Sequence, residues 1–229
     1  MIVAIDGPAG SGKSTVAKAL ARRCGLTYLD TGAMYRAVTL AALERGLDVT
    51  DAEAVGELAS ELEIALSASP TGLVVAIDGQ DRSRAIRTPE VDANVSAVAS
   101  VPKVRKTMVA LQRAHALGSD VVAEGRDIGT VVFPDADVKV FLTADPSARA
   151  HRRAVQRAGG DTATGTAAAV SITDEHEVER ELTERDHADS TRAASPLRAA
   201  ADAVRIDSTG LTVDEVCDRI ESLMKGARP

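Results

Sequence analysis

Eight residues near the start of the chain have the types and spacing of a site for phosphate chemistry. Gly7-Pro8-Ala9-Gly10-Ser11-Gly12-Lys13-Ser14 fits G-x-x-x-x-G-K-[ST] and follows the apolar run Ile2-Val3-Ala4-Ile5. Glycines let the backbone curl so that successive N–H groups point inward at a polyphosphate. The helix N-terminus that follows adds a favourable partial charge. Lys13 is placed to reach the β- and γ-phosphates, and the Ser14 hydroxyl to take a position on Mg²⁺. A glycine-rich turn with no ligand is the plainer reading, but it leaves the Lys13-Ser14 pair and the preceding strand unexplained. The run, with Thr15 after it, is therefore expected to bind a nucleoside triphosphate.

Four further polar clusters fall where chain order puts them at or beyond the carboxyl ends of strands, the edge where open α/β sheets bind ligands. Asp30-Thr31-Gly32-Ala33-Met34-Tyr35-Arg36 is a loop leading into a helix, a second anion site in which Arg36 could clamp a phosphate. Its alternative is a capped helix with an exposed arginine. In Gly125-Arg126-Asp127-Ile128-Gly129-Thr130 the glycines suggest close approach of backbone to a ligand, against a plain structural ion pair. Arg153 and Arg157 stand at i, i+4 and can present two cations to one polyanion, or form a solvated basic face. Arg185, Asp189 and Arg192 recur at i, i+4, i+7, the spacing of one helix face. Each cluster alone reads as charged surface. Together with a phosphate loop they favour a kinase acting on a phosphorylated acceptor.

These groups need a scaffold, and the periodicity supplies one. The strand before the loop leads into a helix over 14–24, stopped by Gly25 as a left-handed cap. A short strand over 26–29 ends at Asp30, with a helix from about 33 to 45 and another over 51–61. Leu62-Glu63-Ile64-Ala65-Leu66 and Leu73-Val74-Val75-Ala76-Ile77, split by 67–72, form a hairpin signature, with a further strand at about 80–84. A long helix opens on Pro102 and ends near Gly118. Strands over 121–123, 138–142 and 203–206 follow, and Thr212-Val213-Asp214-Glu215 is a capping box for a terminal helix. The order predicts an α/β fold with five parallel strands covered by helices, interrupted by antiparallel pairing over about 62–90. Residues 158–166, small, polar and glycine-rich, read as a mobile lid or as a solvated linker.

Composition excludes several classes. With 27 Lys+Arg against 34 Asp+Glu the net charge is −7, against a non-specific nucleic-acid binder. Two Tyr, two Phe and no Trp leave little for base stacking. Cys24 and Cys217 form neither a disulfide framework nor a zinc site, and Cys24 reads as a buried structural thiol. No apolar run approaches the ~18 residues of a membrane span, and the chain opens on a core strand, so a soluble cytoplasmic protein with no membrane partner is expected.

The chain resembles the bacterial cytidylate kinases. The motifs are I-D-G-P-A-G-S-G-K-S-T at 5–15, L-D-T-G-A-M-Y-R at 29–36, I-R-T-P-E-V at 86–91, G-R-D-I-G-T-V-V-F-P-D-A at 125–136 and R-D-x-x-D-S-x-R at 185–192. The resemblance implies a three-layer α/β/α P-loop NTPase core (1–36, 100–150 and 190–229), an acceptor-binding insertion over about 37–99 and a small mobile lid over about 151–185. It implies transfer of the ATP γ-phosphoryl to CMP or dCMP by a monomer that uses Mg²⁺. By similarity Lys13 and Ser14 hold donor phosphates and metal, while Arg36 and Arg126 bind the acceptor phosphate with Thr31 nearby. Ser96, Arg105 and Asp127 read the cytosine, Arg185 and Asp189 lie near the ribose, and Arg192 is a further pocket arginine. Arg153 and Arg157 become lid-side cations; Glu124, before the Gly-Arg-Asp run, departs from the family pattern and is read as an ion-pair partner for an arginine. The competing classes are a kinase for UMP or another small acceptor, and a nucleotide switch without transfer chemistry. A regulatory GTPase needs N-K-x-D, which the chain lacks.

Overall fold

The computed structural model describes residues 1–69, 72–160, 166 and 168–227. Two compact units emerge, one built from 1–28, 119–191 and 195–229, the other from 29–118 and 192–194.

The first unit is organised around strand β1 (Ile2–Asp6), which is apolar and enclosed apart from its start. Helix α1 (Lys13–Cys24) leaves the phosphate loop and ends at Gly25, whose φ of 68° puts it in the left-handed region. Strand β2 (Thr27–Asp30) follows. After the second unit come β6 (Val121–Gly125), β7 (Val138–Thr143), α6 (Pro146–Arg157), α7 (Ile172–Thr191), β8 (Val204–Asp207) and α8 (Val213–Ala227). The strand order is β2-β6-β1-β7-β8, so β1 is central. It runs parallel to β6, with Asp6 opposite Gly125, and to β7, while β8 runs parallel to β7.

The core has a simple origin. Val3 and Ile5 of β1, Val122 of β6 and Val140 and Leu142 of β7 pack with Val16 and Leu20 of α1 and with Val216, Ile220 and Met224 of α8. Burying each such side chain is worth roughly 1.5–3 kcal/mol. The capping box forms as read: Thr212 Oγ1 accepts from Glu215 N at 3.2 Å, and Glu215 Oε2 accepts from Thr212 N at 2.8 Å. Cys24 departs from expectation. It is only half-buried at the end of α1, packed against the edge of the core, while Cys217 is enclosed. Helices α6 and α7 pack through Ala150, Ala154, Val178 and Leu182.

In the second unit, α2 (Thr31–Glu44) and α3 (Ala52–Glu61) precede an antiparallel sheet of β3 (Ile64–Ser69), β4 (Gly72–Ile77) and β5 (Gln80–Asp81). Asp78, at φ 49°, and Gly79, at φ 76°, turn β4 into β5. Helix α4 (Pro89–Ser100) was not foreseen, although Thr88 caps it and Pro89 opens it. Helix α5 (Pro102–His115) passes so close to α3 that a Cβ on Gly56 would lie 2.8 Å from Lys103 Cδ. No helix among the described residues is long and apolar enough to cross a membrane.

Candidate active site

Asp6 hands the chain to Gly7, whose φ is 151°, and a Cβ there would sit 2.1 Å from the Leu142 carbonyl oxygen. Gly12, at φ 89°, is the N-cap of α1, and Lys13 is its first residue. Lys13 is 6% exposed; its Nζ donates to Pro8 O at 2.7 Å and lies 3.5 Å from Ser11 Oγ. Burial pulls the ammonium pKa down to about 7, helped by the Arg126 charge and opposed by Glu124, Asp6 and Asp186. A buried lysine folded back on its own loop is short of negative charge, and a polyphosphate would supply it. The Ser14 hydroxyl, in the first turn of α1, is exposed and free to reach a cation at those phosphates. The donor set therefore fits a magnesium–triphosphate group.

The loop is also held from behind. Ala9 N donates to Asp186 Oδ1 at 3.3 Å, Ala9 O accepts from Arg149 Nη1 at 3.0 Å, and Arg149 and Asp186 are ion-paired. Both polar atoms of one loop peptide residue are thus tied to α6 and α7. Arg152 Nη1 donates to Ser208 Oγ at 3.0 Å, and that oxygen lies 3.0 Å from Ser11 O. None of Asp6, Arg149, Arg152, Asp186 and Ser208 was among the expected site residues. Asp186 stood inside the R-D-x-x-D motif, and Asp6 was an acid ending an apolar strand; Arg149 carried no such signal.

Beside the loop, β6 delivers Gly125-Arg126-Asp127 into a turn over Ile128–Val132 with π-helical bonding. Val132 N reaches Asp127 O at 3.2 Å and Phe133 N reaches Ile128 O at 2.7 Å. The Asp6 carboxylate accepts from Ile128 N at 2.7 Å and Gly129 N at 2.8 Å. Its own pKa rises to about 6, chiefly through burial, which those two bonds partly offset. Arg126 Nε donates to Asp189 Oδ2 at 2.8 Å. Burial works against the Arg126 charge, but Asp189, Asp186 and Glu124 outweigh it and hold the guanidinium above its usual range. Asp127 is buried. Glu124 Oε1 accepts from Tyr28 Oη at 2.6 Å, and its charge favours the Arg126 cation.

The remaining expected residues are distributed as follows. On α6, Arg153 donates to Gln156 Oε1 at 2.7 Å and Arg157 pairs with Glu181 at 2.6 Å, so both engage their own helix pair. Arg185 is half-buried on α7. Arg192 falls one residue past α7, which ends at Thr191. In the second unit Asp30 caps α2 by accepting from Ala33 N at 3.0 Å, with Thr31 buried behind it. Arg36 is paired with Asp92 and donates to Ile86 O at 3.3 Å. Ser96 is half-buried on α4. Arg105 is buried, donates to Ala99 O at 3.2 Å and lies 5.3 Å from the centre of the Tyr35 ring. Most of the glycine-rich segment 158–166, at 161–165, lies outside the described residues.

A glycine loop closing on a buried lysine, at the carboxyl end of the central strand of a parallel sheet, defines a phosphate-loop α/β protein. A family model described as cytidylate kinase matches residues 3–226. A cytidylate kinase from Pelotomaculum thermopropionicum is 48% identical, covering 99% of this chain and 96% of its own. One from Mycolicibacterium paratuberculosis is 49% identical over 98% of this chain and 95% of its own. The chain belongs to the cytidylate kinase family, and it is a kinase. A solved structure of an uncharacterized protein from Eubacterium ventriosum, 16% identical, matches with a TM-score of 0.50 over 98% of both chains, a likeness of fold alone.

Proposed function

We propose that this chain transfers the γ-phosphoryl group of magnesium-bound ATP to CMP and dCMP, yielding ADP and CDP or dCDP. The observation that carries the reading is the half-buried, Asp189-paired Arg126 in the same unit as the Lys13 loop, following a strand that pairs with β1. A half-buried arginine held by an ion pair beside a phosphate loop stabilises charge on a transferring phosphoryl group without reorganising during transfer. Lys13 and the loop Gly7 to Thr15, through backbone N–H groups other than those at Pro8 and Ala9, hold the donor phosphates, and Ser14 is the protein's own ligand for Mg²⁺. When bound, the metal neutralises the β- and γ-oxygens.

The acceptor phosphate already carries its nucleophilic oxygen, so no general base is required. Arg36, Arg126 and Thr31 hold that phosphate, with Arg185, Asp189 and Arg192 toward the ribose and Arg153 and Arg157 serving the transferring group. Asp127 accepts from the exocyclic amine of cytosine, and Ser96 and Arg105 donate to the ring. Uracil presents a carbonyl oxygen where cytosine has the amine, leaving the Asp127 carboxylate facing an acceptor.

The test is a coupled ADP-release assay with magnesium–ATP and CMP, dCMP, UMP, AMP or shikimate. Turnover with CMP and dCMP is expected, with UMP lower in kcat/KM by ~10²-fold, the size of one lost base-edge pairing. Equal use of UMP would overturn the base reading, and no stimulation by any acceptor would overturn the acceptor half.

A further inference from the structure

Asp6 is not needed to hold the donor phosphates, yet it is buried at 4% exposure at the point where β1 becomes the phosphate loop. Each of its oxygens takes one of two successive backbone amides, Ile128 N at 2.7 Å and Gly129 N at 2.8 Å. Those amides open the turn over Ile128–Val132, and the two residues before it are Arg126 and Asp127. The neighbouring strands are locked alongside, with Asp6 opposite Gly125 in the ladder. The turn sits down tightly on this carboxylate: a Cβ on Gly129 would lie 3.4 Å from Asp6 Oδ2 and 3.2 Å from Lys139 Cδ.

We infer that Asp6 is a positioning residue, whose carboxylate fixes the Arg126–Asp127 turn to the end of β1, immediately before the phosphate loop. Only an acceptor-only group with two oxygens can satisfy both amides. An asparagine there must turn its NH₂ toward one of them, leaving two donors face to face. A buried amide without a partner drives the turn to relax, and misplacing a catalytic group by ~1 Å can cost ~10² in rate. One residue would thereby couple the geometry of the donor side to that of the acceptor side. The inference rests on Arg126 and Asp127 being acceptor-side residues, and the test separates the two.

The experiment compares Asp6→Asn and Arg126→Gln with the unaltered protein, measuring kcat, KM for CMP and KM for magnesium–ATP on folded material. Asp6→Asn is expected to lower kcat/KM for CMP by ~10²-fold while KM for magnesium–ATP moves by no more than about twofold. Unaltered kcat/KM for CMP would overturn the inference. So would a parallel loss toward both substrates, which is what general damage to the fold gives. Normal CMP kinetics in Arg126→Gln would instead remove the acceptor-side reading and the inference with it. Should Asp6→Asn not fold, amide hydrogen exchange of the unaltered protein decides. Ile128 and Gly129 are expected to exchange as slowly as the β1 ladder, and loop-like rates at both would overturn the inference.

Discussion

Lys13 is buried with its ammonium turned onto Pro8 O, and burial lowers its pKa to about 7, while Asp6 is raised to about 6. For Lys13 the unfolded chain binds more protons than the native one between about 7 and the ordinary 10.5, so stability rises with pH across that window. For Asp6 the native state binds more protons between 3.8 and about 6, so its contribution is lost as pH rises through about 6. Together the pair favours the ligand-free protein least between about pH 6 and 7. Raising the pH from 7 to 9 is therefore expected to lift the Tm of the ligand-free protein by several degrees relative to a Lys13→Met variant, whose side chain cannot titrate. Bound triphosphate favours the charged lysine and should erase the difference. Parallel melting curves for the two proteins would refute the assignment.

At the scale of elements, the α6–α7 pair holds the phosphate loop through one residue, Ala9, by way of Arg149 and Asp186. The Arg149 side chain is only 10% exposed, so Asp186→Ala leaves a nearly buried charge without its partner, at a cost of ~3–5 kcal/mol. The same change frees the Ala9 amide, so KM for magnesium–ATP is expected to rise at least severalfold with KM for CMP unchanged at saturating nucleotide. Steady-state kinetics and a denaturant titration check the two halves. Much of this architecture was legible beforehand. The phosphate loop, β1, α1, the antiparallel hairpin and the terminal capping box all rest on local patterns, and all are present. Helix α4 carries a helical signal in Val91, Val95 and Val98 at i, i+4 and i+7, but its capping Thr88-Pro89 falls inside the I-R-T-P-E-V motif, which hides the start of the helix. The π-turn at Ile128–Val132 leaves no mark in sequence, since its bonds involve backbone alone. Asp6 and Asp186 grip backbone atoms more than a hundred positions away, and no residue pattern encodes that.

Over the whole molecule, a net charge of −7 coexists with arginines gathered at the described site. Acidity elsewhere sets the sign of the net charge, while the local field at the loop is set by Lys13, Arg126 and their partners. The expected ligand groups are divided between the two compact units, with the donor loop wholly in the first and Thr31, Arg36, Ser96, Arg105 and Arg192 in the second. A non-hydrolysable ATP analogue alone should therefore slow hydrogen exchange in 7–15 and leave α2 and α5 at their ligand-free rates. CMP alone should slow exchange at the start of α2 and at 126–129. Mass-spectrometric exchange reads both, and equal protection of α2 by the ATP analogue would contradict the division. The packing of Gly7 bears on how the chain tolerates random change. A methyl group there would lie 2.1 Å from the Leu142 oxygen, so position 7 admits glycine alone whatever nucleotide is supplied. A library selected merely for folding would already be depleted there. At Ser14, exposed at the surface, depletion would appear only once growth depended on the enzyme. Sequenced side by side, the two selections would sort the loop into letters written by architecture and letters written by chemistry.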